Sequence, residues 1–147
     1  GCTCSSLQIR RYLHRLSGPL LDRIDITVTV DSLGRSAFQS GSHSVTSEEL
    51  RARVISARKA ARERFAGETF SVNSDIPSDL LRSRYRPERR AMTRLLALLD
   101  DGSLSARGLH RIIRLGWSFA DLSGRNVPGV DEIDRGIEMK MHMAGSL

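Results

Sequence analysis

Apolar positions along the chain recur mostly at helical spacing. Ile9, Tyr12, Leu13 and Leu16 fall at i, i+3, i+4 and i+7, with Arg10, Arg11, His14 and Arg15 on the other side, so residues 6 to 16 read as a helix. Ser17-Gly18 ends it. Pro19 opens a single new turn at a first helical position, where its missing N–H costs nothing. The period then changes from 3.6 to two. Ile24, Ile26, Val28 and Val30 alternate with Asp25, Thr27 and Thr29, which predicts a strand. One strand cannot stand alone, so its sheet is expected outside this chain or borrowed from a neighbour.

Residues 31 to 46, DSLGRSAFQSGSHSVT, have no period and are rich in Ser and Gly, and they read as a loop or linker. Thr46 and Glu49 then form a capping-box pattern. Behind it Leu50, Val54, Ala57, Ala61 and Phe65 make a helical stripe to about residue 66, stopped by Gly67. A short helix is predicted over about 77 to 84, started by Pro77. The next runs over about 88 to 100, with Met92, Leu95, Leu96 and Leu99 inward and Asp101-Gly102 closing it. A third spans about 105 to 122. Its core face is Leu109, Ile112, Ile113, Gly116, Trp117 and Ala120, and Arg107, Arg111 and Arg114 lie opposite. The last, about 130 to 140, uses Ile133, Gly136 and Ile137. The expected class is mainly α: a helical bundle over 47–140, preceded by a helix, a turn and one strand over 1–31, with a linker over 32–46 and a frayed tail over 141–147.

Composition changes this picture in two respects. Aromatic residues are only 5% of the 147, so the core is built from Leu, Ile, Val and Ala, which favours helices. Lys and Arg number 23 against 17 Asp and Glu, for a net charge of +6. Only Lys59 and Lys140 are lysines, which leaves 21 arginines. A guanidinium is a planar fork suited to phosphate or carboxylate, so anionic partners such as nucleotide or nucleic acid fit this balance; a GC-rich codon bias gives the same composition.

The two cysteines, Cys2 and Cys4, are too close in sequence to bridge each other. As a C-x-C pair they are at most half of a four-ligand zinc site, completed only by cysteines outside this chain. No stretch approaches the roughly 18 apolar residues of a membrane span, and no signal-peptide pattern occurs, so a cytoplasmic protein is expected.

Three stretches carry a resemblance. CTCSSLQIRRYLHRLSGPLLDRIDITVTV (residues 2–30) is similar to the pattern C-x-C followed by I-x-x-Y-x-x-R-x-S-G-P-L-L-D-R-I-D. VISARKAARERF (54–65) resembles the helix that follows it, and LSARGLHRIIRLGWSFADLSG (104–124) resembles L-S-A-R-x-x-x-R-I-L-R-V-A-R-T-I-A-D-L. In this order and spacing they resemble the C-terminal half of the magnesium-chelatase-like AAA+ ATPases, the bacterial ComM/YifB competence-protein group. The likeness spans nearly the whole chain and is weakest over 31–46 and at the tail. Two departures stand out. The cysteine pair that normally precedes the C-x-C is absent here, and Gly116-Trp117 replaces a small or apolar residue followed by Arg.

The resemblance implies a ring ATPase, with a hexamer expected, that binds ATP and Mg2+ between subunits. The phosphate loop and Walker B acid belong to a preceding α/β core, and no G-x-x-x-x-G-K-[ST] occurs in this chain, which alone is expected to be inactive. What it implies here is the end of that core and a helical lid. Arg23, in LLDRID, inherits the arginine finger that acts on the neighbouring subunit's ATP; Arg107, in LSAR, inherits the second sensor that contacts its own subunit's ATP. The parent is expected to remodel DNA in transformation or recombination. A chelatase subunit or protein remodeller is the alternative within the family. Outside it, Arg107, Arg111 and Arg114 could be the groove-facing stripe of a stand-alone basic DNA-binding module, with LDDGSLSAR as its turn. From the residues alone, Arg23 is a surface charge or a partner of Asp25, and Arg107 one arginine of a solvated face.

Overall fold

The structure, a computed structural model, describes residues 3–13, 15, 23–26, 28 and 45–141. The linker (but for its last two residues), the turn at Pro19 and the tail beyond 141 lie outside the described residues. Among these the elements in chain order are α1 (Ser6–Leu13), α2 (Ser47–Arg64), two 3-10 turns (Asn73–Asp75 and Leu80–Arg82), α3 (Arg89–Asp100), α4 (Ala106–Ser123) and α5 (Val130–Met141). The class is mainly helical, as expected. Of the strand expected over 24–30, Ile24, Asp25, Ile26 and Val28 are described and lie in no ladder, and Thr27, Thr29 and Val30 lie outside the described residues. Strand geometry is held by a ladder, and no described segment offers one.

Helix α4 is the axis of the bundle. It packs against α2, α3, α5 and both 3-10 turns. Ser105 caps it in extended conformation and its hydroxyl accepts from the Gly108 N–H at 3.0 Å; Gly124, at φ 69°, ends it in the left-handed region that disfavours a Cβ. Its inward face is the one expected: Leu109, Ile112, Ile113, Gly116, Trp117 and Ala120 are all buried. They meet Ile76, Leu81, Leu95 and Ile133, each fully buried. A chain of edge-on aromatics, Phe70, Phe65, Tyr85 and Trp117, runs along one side with centroid spacings of 5.0, 5.4 and 6.0 Å. The Trp117 indole N–H donates to the Tyr85 carbonyl at 2.9 Å, so this tryptophan is core with its polar atom satisfied.

Further expectations need adjusting. Helix α1 is described over Ser6–Leu13, with His14 and Leu16 outside the described residues, and Ile9 and Tyr12 on its apolar face are exposed. The capping box at Thr46 and Glu49 is present, with bonds of 3.2 and 2.8 Å, but only the C-terminal part of the α2 stripe is covered. Ala61 and Phe65 are buried, whereas Leu50 and Val54 are exposed, and Val54 lines an open cavity with Ser118, Asp121 and Leu122 of α4. The helix expected over 77–84 is instead a single 3-10 turn, Leu80–Arg82, beside which the Ser83 hydroxyl donates to the Asp79 carbonyl at 3.0 Å. In α3 the inward residues are Ala91, Met92 and Leu95, and Leu96 is exposed.

Helices α4 and α5 approach closely at Gly136. A Cβ there would stand 3.1 Å from Ile112 Cγ2 and 3.3 Å from the Ile112 carbonyl oxygen. The second contact is backbone of the central helix and cannot rotate away. Gly136→Val is therefore expected to destabilise the chain by about 1–3 kcal/mol, read as a lower urea midpoint at unchanged slope.

Candidate functional site

Arg23 sits at a turn and is exposed; Arg107 sits at the second position of α4, two residues after the cap, and is exposed too. Arg111 and Arg114 follow on the same helix. The expectation of one solvated arginine face does not hold beyond Arg107. The Arg111 side chain is only 14% exposed, and its Nε is 3.0 Å from Asp25 Oδ1. Arg114 reaches inward and donates to the Ile76 carbonyl from Nε at 3.2 Å and from Nη2 at 2.7 Å. Burial holds its pKa below the usual arginine value; Asp25 opposes that and Arg111 adds to it. Asp25, considered above as a partner for Arg23, is thus engaged by Arg111.

These contacts dock the segment after Arg23 on the bundle. Besides the Asp25–Arg111 pair, the Lys140 ammonium donates to the Ile24 carbonyl at 3.5 Å. A cavity of about 200 Å³ lies beside the pair, lined by Asp25, Ser74, Arg111, Arg114, Leu115 and Ser118. Cys4 is exposed and free, and Cys2 lies outside the described residues. Among the described residues no group of three or more His, Cys, Asp or Glu is placed to hold a metal, and no helix is long and apolar enough to cross a membrane.

His110 is half-buried beside this face. Burial, with the Arg114 and Arg82 charges behind it, lowers its pKa from the ordinary 6.5. A histidine whose pKa falls on folding binds more protons unfolded than folded. Its contribution is complete above the unfolded pKa and is lost as pH falls below about 6.5 toward the folded pKa. The His110 ring resonances are accordingly expected to titrate below 6.5 in the folded chain, with a small loss of stability over the same pH range.

The pattern of apolar faces did not reveal one polar cluster. Arg64, the last residue of α2, forms a two-point ion pair with Asp121 of α4, with Nη1–Oδ1 at 2.6 Å and Nη2–Oδ2 at 2.7 Å. Asn73 bridges to both, accepting from Arg64 at 3.0 Å and donating to Asp121 at 2.9 Å. The guanidinium lies over the Trp117 ring, 4.2 Å from its centroid. A signal was available: Asp121 continues the four-residue spacing of Leu109, Ile113 and Trp117, a carboxylate at a core position.

Residues 44–140 match the family model described as magnesium chelatase, subunit ChlI C-terminal. The chain belongs to this magnesium-chelatase family. Residues 1–38 match a second model, magnesium chelatase, subunit ChlI, so the segment carrying Arg23 and the bundle carrying Arg107 fall under two parts of one subunit type. The uncharacterized protein Rv2897c of Mycobacterium tuberculosis is 45% identical over 132 residues, 90% of this chain and 26% of its own length. The competence protein ComM of Haemophilus influenzae is 35% identical over 121 residues, 82% of this chain and 23% of its own. The uncharacterized protein YifB of Escherichia coli K12 is 29% identical over 124 residues, 84% and 24% respectively. The chain is thus a magnesium-chelatase-like protein of the ComM/YifB group, and it spans about a quarter of the length of these curated relatives.

Proposed function

We propose that this chain is the C-terminal part of an AAA+ ATPase and supplies two arginines to ATP hydrolysis in a cytoplasmic ring. The observation that carries the reading is the pairing of SGPLLDRID with LSARG in a chain of this family, each arginine exposed on a local structure suited to its role. Arg107 leaves the first turn of a capped helix, so lid motion would carry it onto the phosphates of its own subunit's nucleotide. Arg23 leaves a turn fastened to the bundle two residues later, a fixed point from which to reach a neighbour. ATP, held with Mg2+ by a phosphate loop and acidic residues of the preceding core, supplies a γ-phosphoryl group whose oxygens gather charge during transfer. The two guanidinium groups suit that charge: Arg23 in trans, Arg107 in cis.

For the whole protein we favour a ring motor acting on DNA, because the name of the competence protein ComM ties that relative to competence. A magnesium chelatase subunit is the second reading, carried by the description of the family models. A stand-alone DNA-binding module fits less well, since Arg111 and Arg114 of its stripe are engaged inside the fold.

The test is a mixing experiment in a polypeptide of the relatives' length. Arg23→Ala subunits and phosphate-loop-dead subunits are each expected to be inactive. Mixed, they are expected to regain part of the turnover, because some interfaces then pair an intact finger with an intact loop. Mixtures as inactive as their components would overturn action in trans.

A further inference from the structure

We infer that Asp25 and Arg111 are positioning residues for Arg23: their ion pair fastens the turn bearing Arg23 to the helix bearing Arg107, so that the position of the lid sets the reach of the finger. The inference rests on the reading of Arg23 and Arg107 given above and deepens it. Asp25 lies two residues after Arg23, and Arg111 lies one helical turn after Arg107. The bond between them, 3.0 Å from Arg111 Nε to Asp25 Oδ1, joins the segment that bears Arg23 to the helix that bears Arg107. Lys140 of α5 adds a second hold on the same segment through the Ile24 carbonyl. Arg114, which lines the same small cavity, ties α4 to the Ile76 carbonyl at the end of the Asn73–Asp75 turn, so the platform under Arg111 is itself braced.

Exposure separates positioning from plain structural support. The Asp25 side chain is 58% exposed and opens on the cavity, and a pair of that kind contributes little to folding. Orientation of a reacting group behaves differently: a displacement of about 1 Å can cost on the order of 10²-fold in rate. Loss of the pair should therefore be read in turnover far more than in melting.

In a polypeptide of the relatives' length, Asp25→Ala and Arg111→Ala are each expected to lower kcat for ATP by about 10- to 100-fold. KM should stay within about twofold and the melting temperature within about 3 °C. The double variant should be no worse than Arg111→Ala alone, because the contact to Asp25 is already lost there, and Asp25→Glu should restore most of the rate. A readout without nucleotide accompanies these: in the 147-residue chain the Arg111 Nε–H resonance should shift in Asp25→Asn while the α5 amides stay in place. Wild-type turnover in both single variants, or losses that multiply in the double variant, overturns the inference. Arg23→Ala serves as the control. If it keeps full turnover, the reading of Arg23 has failed; if it is inactive while the Asp25 and Arg111 variants are not, only the positioning role has.

Discussion

Asp121→Ala is expected to cost the 147-residue chain about 3–5 kcal/mol, the range found when one partner of a buried ion pair is removed. Asp121 has 3% of its side chain exposed and accepts from Arg64 and Asn73. Its removal leaves the Arg64 guanidinium, 14% exposed, against the Trp117 ring with no countercharge, and leaves the Asn73 amide nitrogen donating only to Ser118, at 3.2 Å. Water reaching the guanidinium through that opening moderates the loss, so the lower end of the range is expected. For a cooperative unit near 100 residues a loss of about 3 kcal/mol lowers the melting temperature by more than about 10 °C. Arg64→Met combined with Asp121→Leu should recover much of it, because no buried charge then remains unpaired. A melting temperature within a few degrees of wild type for Asp121→Ala would show that Arg64 finds solvent freely and that the pair does not hold α2 to α4.

The same cluster illustrates what the sequence could and could not reveal. Helix α4 was legible almost residue by residue, because a long amphipathic stripe with a Ser cap and a terminal Gly leaves few alternatives. Thr46 and Glu49 were legible for the same reason: a cap is a local interaction. Burial of α2 was not. Its stripe is continuous in sequence, yet coverage depends on what packs against it, and Leu50 and Val54 are exposed among the described residues. Arg111 and Arg114 could be read as solvated or structural but not decided between the two, because their partners, Asp25 and the Ile76 carbonyl, are distant in sequence. Arg23 and Arg107 stood out only through the motifs around them; spacing and charge gave them no distinction from the other arginines.

Arg23→Ala, in a polypeptide of the relatives' length, carries the largest expected effect: a fall in ATP turnover of about 10³-fold or more, with nucleotide affinity nearly unchanged. Trans-acting arginines in phosphoryl transfer contribute on the order of 10³–10⁵ in rate, because they meet charge that appears on the γ-phosphate oxygens mainly in the transition state. A group that acts only there should lower kcat and kcat/KM together and leave ground-state binding alone. Arg23→Lys should recover little, since an ammonium is a point charge without the planar fork. Arg107→Ala provides the contrast, because a sensor on its own subunit's nucleotide should weaken ATP binding as well as turnover. Equilibrium binding of a fluorescent ATP analogue, measured beside steady-state hydrolysis, separates the two. Arg23→Ala protein that hydrolyses ATP at the wild-type rate would remove Arg23 from the chemistry. One that fails to bind the nucleotide would place Arg23 in ground-state recognition, and the division of labour between the two arginines would have to be reassigned.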